Sequence, residues 1–241
     1  MHGNKPTLSV IVPAFNEERR IKPFLLDLKK FKEKNGFIKE IIVVDDGSTD
    51  ATLSILNEFM GAIRIISYKP NKGKGNAVKT GILGAKGAFV CFMDADGATP
   101  ASQLTAMFQA LQGNDVVVGN RKTEKARVIA RQPLYRLFLS WGFNATVALL
   151  FNFNVTDVLC GFKGMHAPLA KQIAKEMQSN RWVFDVEIIA RARMKGAKIG
   201  VIPIEWSHVK GSKMRIGLNT VRIFLDLLEL RRALKRKSQF T

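Results

Sequence analysis

Three times within the first hundred residues a short, almost wholly apolar run ends abruptly in a polar, mostly acidic turn. Leu8-Ser9-Val10-Ile11-Val12 gives way to Pro13-Ala14-Phe15-Asn16-Glu17. Ile41-Ile42-Val43-Val44 gives way to Asp45-Asp46-Gly47-Ser48-Thr49-Asp50, and Phe89-Val90-Cys91-Phe92-Met93 to Asp94-Ala95-Asp96-Gly97. Runs this short and this apolar read as strands buried on both faces. Between them apolar residues recur at helical spacing: Leu25, Leu28 and Phe31, then Leu53, Leu56 and Phe59. Glu17 and Glu18 are expected in the first turn of one helix, and Asp50 as the cap of the next. Ile63 to Ile66, Asp115 to Gly119 and Ile199 to Ile204 extend the strand series, and Pro100 to Leu111 adds a helix. Strands alternating with helices at this interval predict an α/β fold, a mainly parallel sheet with flanking helices. Ligands of such sheets bind beyond the carboxyl ends of the strands. The acidic turns fall at those ends and are therefore expected on one rim.

The third turn carries the most chemistry. As residues i and i+2 of a strand, Asp94 and Asp96 are expected to share a face and aim side by side at its carboxyl end. Two carboxylates side by side repel unless a cation or a shared proton lies between them. Oxygen-only ligands suit Mg²⁺ or Mn²⁺, whose shell is usually completed by water and substrate phosphates. The plainer reading of each acidic turn is a helix cap or a solvated loop, and only their common rim makes a site. Asn71-Lys72-Gly73-Lys74-Gly75-Asn76, a basic glycine-rich loop before a helix of small residues, belongs to the same rim.

Charge narrows the partners. The chain has 241 residues, a formal net charge of +18 and a pI of about 10.2, which call for an anionic partner. Nucleic acid is not expected, because the basic residues are not interleaved with aromatics and no nucleic-acid motif occurs. Two cysteines, Cys91 and Cys160, and three scattered histidines make neither a disulfide framework nor a Cys/His metal set, which suits a reducing cytosol. The N-terminus is polar up to Leu8, so no signal peptide is expected.

After about Arg121 the pattern changes to basic and helical. Leu137 to Thr156 reads as an interfacial or buried helix rather than a membrane span. Asp157 to Lys163 reads as a turn, and Leu169 to Met177 and the stretch from Trp182 as helices. In the tail, Val221, Phe224, Leu225 and Leu228 stand at i, i+3, i+4 and i+7 before Arg231, Arg232, Lys235, Arg236 and Lys237. Such a helix either lies on an anionic bilayer surface or packs on the core. The expected organisation is a domain over 1–215, in two halves (7–120 and 121–215), followed by a basic amphipathic helix over 216–241.

Val12-Pro13-Ala14-Phe15-Asn16-Glu17, Val44-Asp45-Asp46-Gly47-Ser48-Thr49-Asp50, Asn71-Lys72-Gly73-Lys74-Gly75 and Asp94-Ala95-Asp96, in this order and spacing, resemble the family-2 glycosyltransferases of GT-A fold. Asp94 to Thr99, Val158-Leu159-Cys160-Gly161-Phe162-Lys163, Arg181-Trp182-Val183-Phe184-Asp185-Val186-Glu187 and Gly211-Ser212-Lys213 are similar to the dolichyl-phosphate β-glucosyltransferase branch. The dolichyl-phosphate mannose synthases share the architecture, but commonly have Gln where Ala98 stands here. The resemblance spans roughly residues 7 to 215, and implies that 7–120 is the nucleotide-sugar-binding half and 121–215 the acceptor-binding half.

It implies that Pro13, Ala14, Phe15 and Glu17 line the nucleotide pocket, and that Asp45 or Asp46 contacts base or ribose. Lys74 and Ala95 would lie near the nucleotide, and Asp94 and Asp96 would bind the divalent metal. Arg121 and Lys213 would face phosphate groups, and Arg127 and Arg131 the lipid phosphate. Eukaryotic glucosyl members usually carry an N-terminal anchor; here attachment is expected to rest on the second-half helices and the tail, peripherally, at the cytoplasmic face of a membrane. The implied reaction is inverting transfer of one sugar, glucose from UDP-glucose or alternatively mannose from GDP-mannose, to a polyprenyl or dolichyl phosphate. A hydroxyl acceptor would need a general base, for which Asp185 and Glu187 are the candidates, their plainer reading being a polar pair at a helix start. A phosphate acceptor is largely ionised near neutrality, its second pKa being about 6, and needs cations instead.

Overall fold

A computed structural model describes residues 6–123, 126–130, 134–151, 156–207, 209 and 218–238. Four parallel strands form the first half: β1 (Leu8–Ala14), β2 (Ile38–Asp45), β3 (Arg64–Ser67) and β4 (Phe89–Phe92). The helices α1 (Ile21–Lys34), α2 (Thr52–Asn57) and α3 (Lys74–Gly84) connect them. After β4 come α4 (Gln103–Ala110), β5 (Val116–Asn120), β6 (Arg127–Ala130) and α5 (Leu134–Phe151). The chain continues with β7 (Lys163–His166), α6 (Ala167–Glu176), α7 (Phe184–Met194), β8 (Ile199–Pro203), β9 (Glu205–Ser207) and α8 (Leu218–Ser238). The main sheet has the order β3-β2-β1-β4-β7-β5-β8, and β6 pairs with β9 in a separate ribbon.

The sheet is mostly parallel, as expected, with one interior exception. β7 runs antiparallel to both neighbours, pairing Phe92 with Lys163 on one side and Val118 with Lys163 on the other. The turn expected over Asp157 to Lys163 reaches only the first residue of β7, and β6, β7 and β9 are not expected from the sequence. Alternate residues of the strands point to opposite faces and build two cores. Ile11, Ile42, Val44, Val90 and Phe92 pack with α3, α6 and α7, whereas Leu8, Val10, Val12, Val43 and Cys91 pack with α1 and α4.

Two further expectations are corrected. Glu17 and Glu18 precede α1 rather than opening it, because each carboxylate is engaged elsewhere: Glu17 by Arg20, and Glu18 by the Ala51 N–H. The strand also stops at Phe92, so strand alternation does not set the direction of Asp94 and Asp96. A turn does so. Asp96 Oδ1 accepts the Ala98 N–H at 3.0 Å, and Gly97 at φ +72° closes it.

In α8, Leu227, Leu230 and Leu234 are buried in the core, while Phe224, Leu225 and Leu228 lie exposed. The helix thus has two apolar faces, and Phe224, Leu225 and Leu228 of the stripe visible in the sequence lie on the exposed one. Among the described residues no helix is long and apolar enough to cross a membrane.

Candidate active site

The parallel strands β1, β2, β3 and β4 end at one edge, and the chain beyond them shapes a cavity of about 510 Å³. Beyond β1, Asn16 adopts φ +51°, a left-handed conformation that Asn tolerates. Its N–H donates to Ser48 Oγ (2.9 Å) and its Oδ1 accepts the Thr49 N–H (2.7 Å), tying this turn to that beyond β2. The end of β1 presents Pro13 and Ala14 to the cavity, and the turn Phe15 and Glu17.

Of the aspartates ending β2, only Asp46 lines the cavity. It accepts the Lys72 and Gly73 N–H groups and Asn71 Nδ2, each at 2.8 Å, and so folds the glycine-rich loop against the β2 end. Asp45 is fully buried and accepts Ser67 Oγ (2.9 Å) and the Ser48 N–H (3.2 Å), binding β2 to β3. Gly73 has φ +101°, and a Cβ there would collide with the Asn180 carbonyl, so the glycine allows close approach of the 178–182 loop.

Lys74 opens α3 with its ammonium on Asp94 Oδ1. Burial pushes this ammonium down, but Asp94, Asp185 and Asp96 together hold it above its ordinary value. Asp94 is wedged from behind: a Cβ on Gly161 would overlap its carboxylate. Asp96 has its carboxyl raised by burial and by Asp94, partly offset by the Ala98 N–H and Arg20. Arg20 is clamped by Glu17 through Nε and Nη2, both at 2.7 Å, and its Nη1 lies 3.9 Å from Asp96 Oδ2.

Behind this rim lies a buried ion pair. Lys163 is fully buried, with its ammonium on Asp185 and 2.6 Å from the Cys160 carbonyl. Burial pushes the Asp185 carboxyl up, and Lys163 and Lys74 oppose it. Glu187, also fully buried, accepts the Ser179 N–H (2.7 Å), the Gln178 N–H (3.0 Å) and Arg191 Nε (2.7 Å). It anchors the loop that carries Arg181 and Trp182 to the cavity. Neither Asp185 nor Glu187 lines the cavity.

Arg121 does not line it either. Its guanidinium forms a fork on Asp157, Nε to Oδ2 at 2.8 Å and Nη2 to Oδ1 at 2.7 Å, and stacks over Trp206. Burial pushes the Asp157 carboxyl up, but the hydrogen bonds and charge of Arg121 outweigh that and hold it below the usual range. Arg127 is exposed on β6 and also lies outside the lining. Arg131 and Lys213 lie outside the described residues.

The cavity wall also holds residues to which sequence reasoning assigns no role of their own. Arg20 and Asn71 come from the rim turns, Arg181 and Trp182 from the loop before α7, and Arg222, Ile223 and Asp226 from α8. Arg20 could be found as the i+3 partner of Glu17. Nothing in the sequence marks α8 as part of the wall. The donor set, carboxylate oxygens ringed by Arg and Lys, has the chemistry to hold a hard divalent cation together with phosphate.

The sequence profile described as Glycosyl transferase family 2 matches residues 9–174. The chain is 34% identical to the dolichyl-phosphate β-glucosyltransferase of Saccharomyces cerevisiae, over 94% of this chain and 74% of that one. It is 33% identical to the enzyme of the same name from Dictyostelium discoideum, over 93% and 73%. Its fold is that of glucosyl-3-phosphoglycerate synthase from Mycobacterium tuberculosis, crystallised with Mn²⁺, UDP and phosphoglyceric acid, with a TM-score of 0.67 at 19% identity over 94% of this chain and 78% of that one. The extent of the profile match and of the identity to the two glucosyltransferases gives one conclusion: this chain belongs to glycosyl transferase family 2.

Proposed function

We propose that the protein transfers glucose from UDP-glucose to a dolichyl or other polyprenyl phosphate, with inversion at the anomeric carbon. The observation that carries this reading is the identity of about a third, over nearly the whole chain, to dolichyl-phosphate β-glucosyltransferases. UDP in the related fold supports a uridine donor.

Asp94 and Asp96 would hold Mg²⁺ or Mn²⁺, which when bound would supply Lewis-acid neutralisation of the leaving diphosphate. The nucleoside would lie against Pro13, Ala14, Phe15 and Asp46, with Glu17 acting through Arg20. Lys74 would steady the diphosphate, near Ala95. Arg121, fixed by Asp157, would add its field at Asp94 without touching substrate. Arg127, Arg131 and Lys213 are the cations proposed for the acceptor phosphate. That acceptor attacks as an anion, so no general base is required, which accords with Asp185 and Glu187 being paired and absent from the cavity wall.

Attachment would be peripheral, at the cytoplasmic face of a membrane with anionic lipid. The exposed Phe224, Leu225 and Leu228 of α8, Leu149 of α5 and the exposed Arg232 and Lys235 support it. The test is transfer of label from UDP-glucose to detergent-dispersed dolichyl phosphate, with GDP-mannose in parallel. Metal-dependent lipid label from UDP-glucose, abolished in a folded Asp94→Asn variant, is expected. Label from GDP-mannose alone would overturn the donor, and full activity in Asp94→Asn would overturn the metal site.

A further inference from the structure

Both carboxylates at the rim already have cationic partners. Lys74 occupies Asp94 Oδ1, and Gly161 backs the other oxygen. Asp96 spends Oδ1 on the Ala98 N–H and turns Oδ2 toward Arg20. Two carboxylates thus face two cations. Arg181 and Arg222 bring further positive charge to the same wall. A divalent cation arriving alone would have to displace a lysine and crowd an arginine, leaving a strongly positive pocket. A diphosphate arriving with it supplies the missing negative charge and gives both side chains a new anion, Lys as a point charge and Arg as a fork.

We propose that Lys74 and Arg20 are exchangeable counter-ions: they guard Asp94 and Asp96 while the cavity is empty and pass to the diphosphate when cation and nucleotide enter together. The idea rests on the donor-site reading above, and adds to it that the cation does not bind well ahead of the donor. Arg20 is positioned for this by its fork on Glu17, which leaves Nη1 directed at Asp96. Cation and nucleotide are then linked, and by reciprocity each tightens the other by the same factor, on the order of 5–150-fold for typical coupled sites.

The test follows free Mn²⁺ by electron paramagnetic resonance with and without UDP, and labelled UDP by equilibrium dialysis with and without Mn²⁺. It uses the wild type, Lys74→Met and Arg20→Gln, each checked by circular dichroism. Without nucleotide, Lys74→Met is expected to bind Mn²⁺ about tenfold or more tightly than the wild type, with a coupling factor shrunk accordingly. Arg20→Gln should move the same way by less, since its contact is longer, and it carries the test if Lys74→Met does not fold. Unchanged Mn²⁺ affinity in the folded variants, beside UDP-dependent Mn²⁺ binding in the wild type, would overturn the counter-ion role and leave the donor site standing. Failure of the wild type to bind UDP at all would remove the donor-site reading and this proposal with it.

Discussion

Glu187 offers the sharpest separation of scaffold from chemistry. The carboxylate is fully buried and holds two backbone N–H groups and the Arg191 guanidinium, which is 2% exposed. Glu187→Gln keeps the shape, removes the charge and turns an NH₂ group toward one of those donors. Removing one partner of a buried ion pair costs about 3–5 kcal/mol. Arg191 keeps Glu176 at 3.0 Å, which places the cost at the lower end, about 3 kcal/mol. For a domain of this size each kcal/mol moves Tm by about 2–4 °C, so the variant should melt about 6–12 °C lower. Total stabilities of about 5–15 kcal/mol leave it folded at 20 °C. Arg181 and Trp182 hang from the loosened loop, so the KM for UDP-glucose should rise several-fold while kcat falls less than tenfold. Differential scanning fluorimetry and lipid-transfer kinetics on one preparation read both quantities. A Tm within about 2 °C of wild type together with a kcat loss of about 10²–10⁴-fold, the contribution of a general base, would refute the reasoning and make Glu187 a base.

Three other outcomes are expected. Gly161→Ala pushes a methyl into the Asp94 carboxylate, and a shift of about 1 Å at a reacting centre can cost on the order of 10²-fold, to be read as kcat against an intact melting curve. Asp157 has its carboxyl depressed in the folded state, so its stabilisation is present above the unfolded value of about 3.9 and is lost as pH falls through the folded one. Tm measured from pH 6 down to pH 3 should therefore fall more steeply in wild type than in Asp157→Asn, and parallel curves would count against the fork on Arg121. Leu225→Glu with Leu228→Glu should abolish co-sedimentation with anionic vesicles while shifting stability by less than about 0.5 kcal/mol per exposed site, and undiminished binding would dismiss α8 as the contact.

The rim was legible because its strands are short, apolar and end in turns whose residue types are dictated by their geometry. What escaped was whatever depends on partners far away in the chain. Lys163 is in the sequence only the last residue of a turn, and becomes half of a buried ion pair once Asp185 and the Cys160 carbonyl are brought to it. Arg121 reads as a phosphate ligand until Asp157, 36 residues on, claims it. β7 has four residues and no period, and its strand character comes from two neighbours it did not choose. Asp94 and Asp96 do line one cavity, but a turn rather than strand alternation sets their direction.

The antiparallel β7 bears on how the chain is made. Until residues 163–166 leave the ribosome, β4 is a bare edge of Phe89, Val90, Cys91 and Phe92, all buried in the finished sheet. About 70 residues separate β4 from β7, and at about 5–20 residues per second their synthesis takes on the order of 4–14 s. For that interval the nascent sheet carries a flat, apolar, uncharged edge of the kind that recruits foreign strands. Chains halted between residues 93 and 162 should therefore aggregate or engage chaperones, and release from them should coincide with insertion of the one strand that joins the two halves.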